Sequence, residues 1–226
     1  MFLLRQCSFP LYKQEPQILF QYMISKNCLN RLSVSAKIHK MNEELKKLFV
    51  ISGSSGVGKG TVINSLLSKH KDIILSISYT TRTPRTGEKD GMNYFYTARD
   101  DFLKSVKNNE FLEWAEFSGN CYGTKRSFVE KTLKKSHVLL EIDTQGAVQV
   151  KEKMPEAILI FIAPPSYEEL EQRLRGRKTD TEEAIQKRLE FVKIEKENSK
   201  KFDYVIVNDT VENAVKKIED IINDAV

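Results

Sequence analysis

Between an apolar run and a helix-like run, residues 51 to 61 read ISGSSGVGKGT, and no other stretch limits the possible fold as tightly. The preceding LFVIS has the unbroken apolarity of a strand buried on both faces, and the following TVINSLLSKH reads as a helix. Strand, glycine turn and helix in that order bring backbone N–H groups and the positive end of a helix dipole to one point, which suits a phosphate. Gly53, Gly58 and Lys59 stand at phosphate-loop spacing, Ser54, Ser55, Gly56 and Val57 make the turn, and Lys59 supplies a mobile cation for terminal phosphates. Gly60 stands where Ser or Thr is usual, so a magnesium ion would be held mainly by nucleotide oxygens and water. Thr61 keeps a hydroxyl one residue later, near the α-phosphate. An ordinary glycine-rich turn is the bland alternative.

Downstream, DIILSISYTTRTPRTGEKDG reads as a strand leaving the core for a loop. NYFYTARDDFLKSVKNNEFLEWAEFSGNCYGT alternates aromatic and polar residues around a short helix, and predicts a small mixed insertion. HVLLEID, TQGAVQVKEKM and AILIFIAPP then read as strand, helix and strand. That alternation predicts an α/β fold with a parallel core sheet. Ser166 to about Lys201 is helical in pattern and densely charged, with Arg173, Arg175, Arg177, Lys178, Lys187 and Arg188, and a solvated hairpin is its plain reading. The chain closes with YVIVND as a strand and a helix whose Val211, Ala214, Val215, Ile218, Ile221 and Ile222 share one face, capped by Asp209 or Thr210.

Charge placement narrows the partners. The net charge of +5 is carried by residues 1 to 40, which hold six basic residues (Arg5, Lys13, Lys26, Arg31, Lys37, Lys40) against Glu15 alone. The remainder is neutral, so no global basic field points to nucleic acid. Cys7, Cys28 and Cys121 lack metal-ligand spacing and suit a reducing compartment. His39, His70 and His137 are scattered, which argues against a metal cluster and for surface or strand-edge roles. No apolar run approaches the ~20 residues of a membrane span. Residues 1 to 45 form a basic leader, expected to be disordered or a targeting segment, or to precede a true start at Met41.

A second anion site is legible in YTTRTPR, where Arg82 and Arg85 flank Pro84 and could present two planar forks to one phosphate, or be merely solvated. Tyr94, Glu113, Tyr122 and Thr124 follow in the insertion, with Tyr94 and Trp114 expected by default in its core. Asp143 closes EID, at the carboxyl end of a strand where ligands of open α/β sheets gather, and could equally cap the next helix.

Seven ordered blocks, GSSGVGKGT, TTRTPRTGE, NNEFLEWAEFSGNCYGT, EIDTQG, FIAPPS, RLRGR and VIVND, resemble guanylate kinase over about residues 47 to 226. The resemblance implies a P-loop kinase domain over 46 to 226, with helices flanking the sheet, a GMP-binding insertion at about 78 to 124 and a helical lid at about 168 to 198. It implies transfer of the γ-phosphoryl group of ATP to GMP, and to dGMP, with Mg²⁺, in purine nucleotide metabolism and GMP recycling. Positions matching Ser78, Arg82, Arg85 and Tyr94 bind GMP, the last three through its phosphate. Those matching Glu113 and Asp143 meet the guanine edge, Tyr122 the phosphate and Thr124 the base. Lys59, Arg82 and the lid positions Arg173, Arg177 and Arg188 then serve the phosphoryl group, and Asn208 lies near adenine. GKGT recurs among nucleoside monophosphate kinases, which makes Gly60 a variant and not a defect. The chain departs from the family in its leader, in Cys121 where Tyr is common, and in Thr124 where some relatives have Ser.

The rival class is the peptide-binding guanylate-kinase-like module of scaffold proteins, whose phosphate loops are degraded; Lys59 argues against it. A cytoplasmic location is expected, or a mitochondrial or other organellar one if residues 1 to 40 are a transit peptide; oligomeric state is left open. A chain beginning at Met41 is expected to fold and act like the full one, and loss of soluble, active protein on truncation would contradict this.

Overall fold

Six consecutive buried residues make β1, Leu48–Gly53, the middle strand of a parallel sheet. The computed structural model describes residues 46–176 and 182–226. β1 pairs with β7 (His137–Glu141) on one side and with β8 (Ile158–Ala163) on the other, and β2 (Ile73–Leu75) and β9 (Tyr204–Val207) form the edges. The order is β2-β7-β1-β8-β9, and every pairing is parallel. Parallel neighbours need crossovers, and the crossing helices cover the faces.

Alternation along β1 shows the two layers. Phe49 and Ile51 join a cluster with Val62, Ile63 and Leu66 of α1 (Lys59–Lys69) and with Ala214, Val215 and Ile218 of α7 (Val211–Ala225). Leu48 and Val50 point the other way, to Ala147 and Val150 of α4 (Thr144–Lys153) and Val129 of α3 (Arg126–Thr132). The apolar stripe expected on α7 is buried from Ala214 to Ile222, with Val211 partly so. Thr210 is its cap, accepting from the Asn213 N–H at 3.2 Å, while Asp209 accepts from the Thr210 N–H at 2.7 Å.

The insertion builds its own sheet, β4-β3-β6-β5, from β3 (Tyr79–Thr80), β4 (Phe95–Tyr96), β5 (Phe111–Phe117) and β6 (Asn120–Lys125), beside α2 (Arg99–Lys107). Its core is Phe102, Phe111 and Cys121, with the two rings stacked at 4.4 Å and Trp114 edge-on to Phe102 at 6.4 Å. Trp114 thus packs where expected. Tyr94 does not: its ring faces Arg82 and Tyr122. Cys121 is a free, fully buried thiol.

Helices α5 (Tyr167–Gly176) and α6 (Glu182–Ser199) form the charged hairpin. It is more than a solvated pair, because Leu170, Leu174, Ile185 and Leu189 bury a seam between them. Arg175 accounts for part of the charge, bonding Glu171 at 2.9 Å and Glu182 at 2.8 Å across the junction.

Of the histidines, His39 lies outside the described residues. His70 meets Glu219 at 3.3 Å near the surface, but His137 is 3% exposed at the start of β7. The Lys47 N–H donates to its Nδ1 at 2.9 Å, which requires a neutral ring. Burial first, and then the charge of Lys46, push its pKa below the ordinary value of about 6.5. A depressed histidine contributes stability that is present above about pH 6.5 and is lost as pH falls from there towards the folded-state pKa. Urea unfolding at about pH 7.5 and 5.5 is expected to show that loss, and His137→Asn, which keeps an acceptor and does not titrate, should flatten it.

Candidate active site

Because β1 and β7 run parallel with Ile51 opposite Glu141, the glycine loop and the end of EID leave the sheet side by side. Gly58, left-handed at φ 96°, ends the loop and serves as N-cap of α1. No side chain caps that helix and no acid sits in its first turn, so its leading N–H groups are available to an anion. A cavity of about 270 Å³ opens there, lined by Ser55, Gly56, Gly58, Lys59, Gly60, Thr61 and Glu141. Lys59 Nζ reaches back across the loop to the carbonyl oxygens of Gly53 at 2.5 Å and Ser54 at 3.3 Å. A Cβ on Gly60 would meet nothing within 4 Å, so packing does not demand glycine there.

The hairpin already touches this loop. Arg188 donates to Ser55 Oγ at 2.6 Å, and Arg173 to the carbonyls of Val57 at 3.4 Å and Asn208 at 3.3 Å while held by Glu169 at 2.5 Å. Asn208 is buried and donates to the Val57 carbonyl at 2.7 Å; its Oδ1 has no partner. Arg177 lies outside the described residues.

Two acids near the loop carry no motif signal of their own. Glu141 is pushed up by burial, which Lys59 opposes. Glu195 of α6 is pushed up likewise, with the Ser54 hydroxyl and Lys59 opposing and Asp143 adding to the rise. The position of Glu141 at the end of an apolar strand was its one legible cue; Glu195 looked like any helix-surface acid.

The candidate second anion site gathers around Glu88. Its Oε1 accepts from Arg82 Nη2 at 2.9 Å, and its Oε2 from the Arg85 N–H at 2.7 Å and the Tyr96 hydroxyl at 2.8 Å. These bonds, Arg82 first, hold its pKa down at about 2. Arg82 lies 5.4 Å from the Tyr94 ring, and Tyr94 lies 6.0 Å from the Tyr122 ring. Arg82, Tyr94 and Tyr122 are therefore brought together, whereas Arg85 joins through its backbone and exposes its side chain. Ser78 is half-buried, and its carbonyl accepts from the Phe95 N–H at 2.9 Å. Glu88 stands in the TTRTPRTGE block without having been singled out, because a lone glutamate in a loop reads as solvated.

The third group is Glu113, Thr124 and Asp143. Glu113 faces Thr124 across the β5–β6 register, and both are buried. Neither Glu113 Oε1 nor Thr124 Oγ1 makes a hydrogen bond of good geometry, although Thr124 stands close enough to the Glu113 carboxyl to favour its charged form. Asp143 does cap α4, its Oδ1 accepting from the Gly146 N–H at 2.7 Å, and its charge also reaches Glu113. Burial raises the Glu113 pKa to about 7; the nearby Thr124 hydroxyl tempers the rise and the Asp143 charge adds to it.

The arrangement offers cations to two anions and buried acceptors to a ligand carrying N–H donors. Among the described residues no group of three or more His, Cys, Asp or Glu could hold a metal by itself, and no helix is long and apolar enough to cross a membrane. A divalent ion here would lean on ligand oxygens and water, with Glu141 at the cavity wall.

The family model described as guanylate kinase matches residues 45–225. The chain is 52% identical over 181 residues to a guanylate kinase of Prochlorococcus marinus subsp. pastoris, covering 80% of this chain and 98% of that one. It is 50% identical over 187 residues to a guanylate kinase of Clostridium perfringens, covering 82% and 86%. Among solved structures it resembles the guanylate kinase of Anaplasma phagocytophilum, at a TM-score of 0.66 and 36% identity, covering 80% of this chain and 86% of that one.

In the free protein the Glu113 carboxyl is expected to titrate near pH 7, and Asp143→Asn, which keeps a capping side chain, should lower that midpoint. Carboxyl NMR of selectively labelled protein would follow both; a Glu113 midpoint near 4.5 would contradict the burial effect.

Proposed function

The chain belongs to the guanylate kinase family, whose reaction moves the γ-phosphoryl group of ATP to GMP, and we propose how its residues divide that work. ATP enters the Gly53–Thr61 loop, where backbone N–H groups and Lys59 hold its phosphates and Asn208 borders the adenine. Glu141, at the cavity wall, would stand beside a magnesium ion bound with the ATP and held mainly by nucleotide oxygens and water; such an ion would supply charge neutralisation at the phosphates. The GMP phosphate lies against Arg82, Arg85, Tyr94 and Tyr122, and Ser78 and Thr124 flank its base. Glu113 and Asp143 accept from guanine N1–H and the 2-amino group. Arg173, Arg177 and Arg188 of the lid, about residues 168 to 198, surround the phosphoryl group as it passes in line between the two sites. Positioning and charge stabilisation carry the catalysis, with no protein nucleophile. dGMP is a second acceptor, since no residue in this assignment is given to the 2′-hydroxyl. The setting is cytoplasmic, with residues 1 to 45 outside the kinase domain and the insertion spanning about 78 to 124.

One observation carries this reading: Glu113 Oε1 and the Thr124 hydroxyl are buried opposite one another, neither with a hydrogen bond of good geometry. Guanine supplies what they lack, two donors for the carboxylate and an O6 acceptor for the hydroxyl. Adenine turns an acceptor N1 towards the carboxylate and has no 2-amino group, so it leaves buried groups unpaired.

The test is kcat/KM for GMP, IMP and AMP with ATP as donor. GMP should exceed AMP by roughly 10⁴ or more, with IMP between them; AMP within tenfold of GMP would sink the assignment. GMP affinity should also weaken as pH drops below about 7, because protonated Glu113 can no longer accept from both donors. Lys59→Ala should lower kcat by about three decades, the equivalent of ~4 kcal/mol of transition-state stabilisation, with the fold retained. A variant keeping a tenth of normal turnover would exclude that role.

A further inference from the structure

Glu113 leaves β5 at an irregular point. Phe111 pairs with Lys125 and Glu113 with Thr124, so the register shifts at Leu112 between them. An irregularity of this kind re-aims the side chain beside it, and an edge strand such as β5 leaves its outward N–H and C=O groups without strand partners. Here α4 supplies them. Lys153 Nζ donates to the Leu112 carbonyl at 2.6 Å. Gln149 grips the Trp114 peptide groups with both ends of its amide: Nε2 donates to the Trp114 carbonyl at 2.8 Å, and the Trp114 N–H donates to Oε1 at 3.2 Å. The irregular segment is thus held on both sides of Glu113 by one helix.

The same helix face carries the rest of the pocket. Asp143, Gly146 and Gln149 are spaced by three residues and lie along one side of α4. Gly146 gives its N–H to Asp143, and a Cβ built on it would come 2.5 Å from Glu113 Oε2. The missing side chain is therefore the space that the Glu113 carboxylate occupies.

We infer that Gln149 is a positioning residue for base selection: by clamping the Trp114 peptide it holds Glu113 opposite Asp143, and Gly146 leaves the gap that lets the carboxylate stand there. This rests on the assignment of Glu113 and Asp143 to guanine. Gln149 touches neither nucleotide in that assignment, so its loss acts through KM for the base and not through phosphoryl transfer.

Two variants of the full chain test it by the ratio of kcat/KM for GMP to that for IMP, which differs from GMP only by the 2-amino group. Gln149→Leu keeps much of the side chain's bulk and loses both hydrogen bonds. Gly146→Ala gains helix propensity and removes no hydrogen bond, while its Cβ forces the Glu113 carboxylate to shift. In both, the ratio is expected to fall tenfold or more through KM for the nucleotide, with KM for ATP and kcat at saturating GMP within about twofold of the wild type. A smaller fall in either folded variant overturns the inference, as does a loss of kcat and ATP affinity in step with it. If Gln149→Leu fails to fold, Gly146→Ala decides alone. A wild type that does not prefer GMP to AMP would defeat the functional reading itself; a selective wild type with equally selective variants defeats only this inference.

Discussion

The pairing of β1 between β7 and β8 is the constraint on which the site depends. In a parallel sheet every strand delivers its carboxyl end to the same edge. Ile51 opposite Glu141 and Gly53 opposite Ile162 therefore bring three exits together: the phosphate loop, the turn into α4, and the chain leading to the hairpin. The fit is tight enough to select glycine at the crossing, since a Cβ on Gly53 would lie 2.2 Å from the Ile162 carbonyl oxygen. Largely apolar strands with helices on both faces make this arrangement stable, and the chemistry is placed on the loops where it ends.

The two kinds of subsite differ in how they wait for ligand. Four cations of the proposed phosphate sites are already engaged: Lys59 with loop carbonyls, Arg82 with Glu88, Arg173 with Glu169, and Arg188 with Ser55. An arriving phosphate exchanges one partner for another, which limits the desolvation each cation must bear. The base pocket holds the opposite condition. Glu113 Oε1 and Thr124 Oγ1 are buried without hydrogen bonds of good geometry, so in the proposed assignment a matching base would add hydrogen bonds and a mismatched one would leave the burial uncompensated. Discrimination belongs where nothing is exchanged.

That division also explains what could be read in advance. Apolar runs, the glycine loop and the α7 stripe were legible because each obeys a local period or a local steric need. The α/β fold with its parallel sheet follows from such elements in order, and the kinase family from the resemblance of seven ordered blocks. The role of Glu88 was not legible, because its three partners converge only when the loop turns back on itself. Tyr94, core by residue type alone and a phosphate position by resemblance, has Arg82 over its ring, and His137, expected at the surface or a strand edge, is buried and accepts from the Lys47 N–H. The hairpin's charges hid its Leu170, Leu174, Ile185 and Leu189 seam, since a short apolar stripe between two helices is diluted by the exposed faces.

By itself, then, the sequence determined the order of strands and helices, the anion-binding loop and the residue types brought to the site, because these are set by neighbours a few positions apart. Only the tertiary structure decided which groups meet. Asp143 was both a possible cap and a possible site residue, and folding makes it the cap of α4 while bringing its charge to bear on a buried Glu113 from another sheet. Gln149 had no signal of its own and Gly146 only its place in the EIDTQG block; their part arises when α4 docks on the edge of β5, 35 residues away for Gln149 and Trp114. Contacts across that separation depend on packed geometry, which no local pattern encodes.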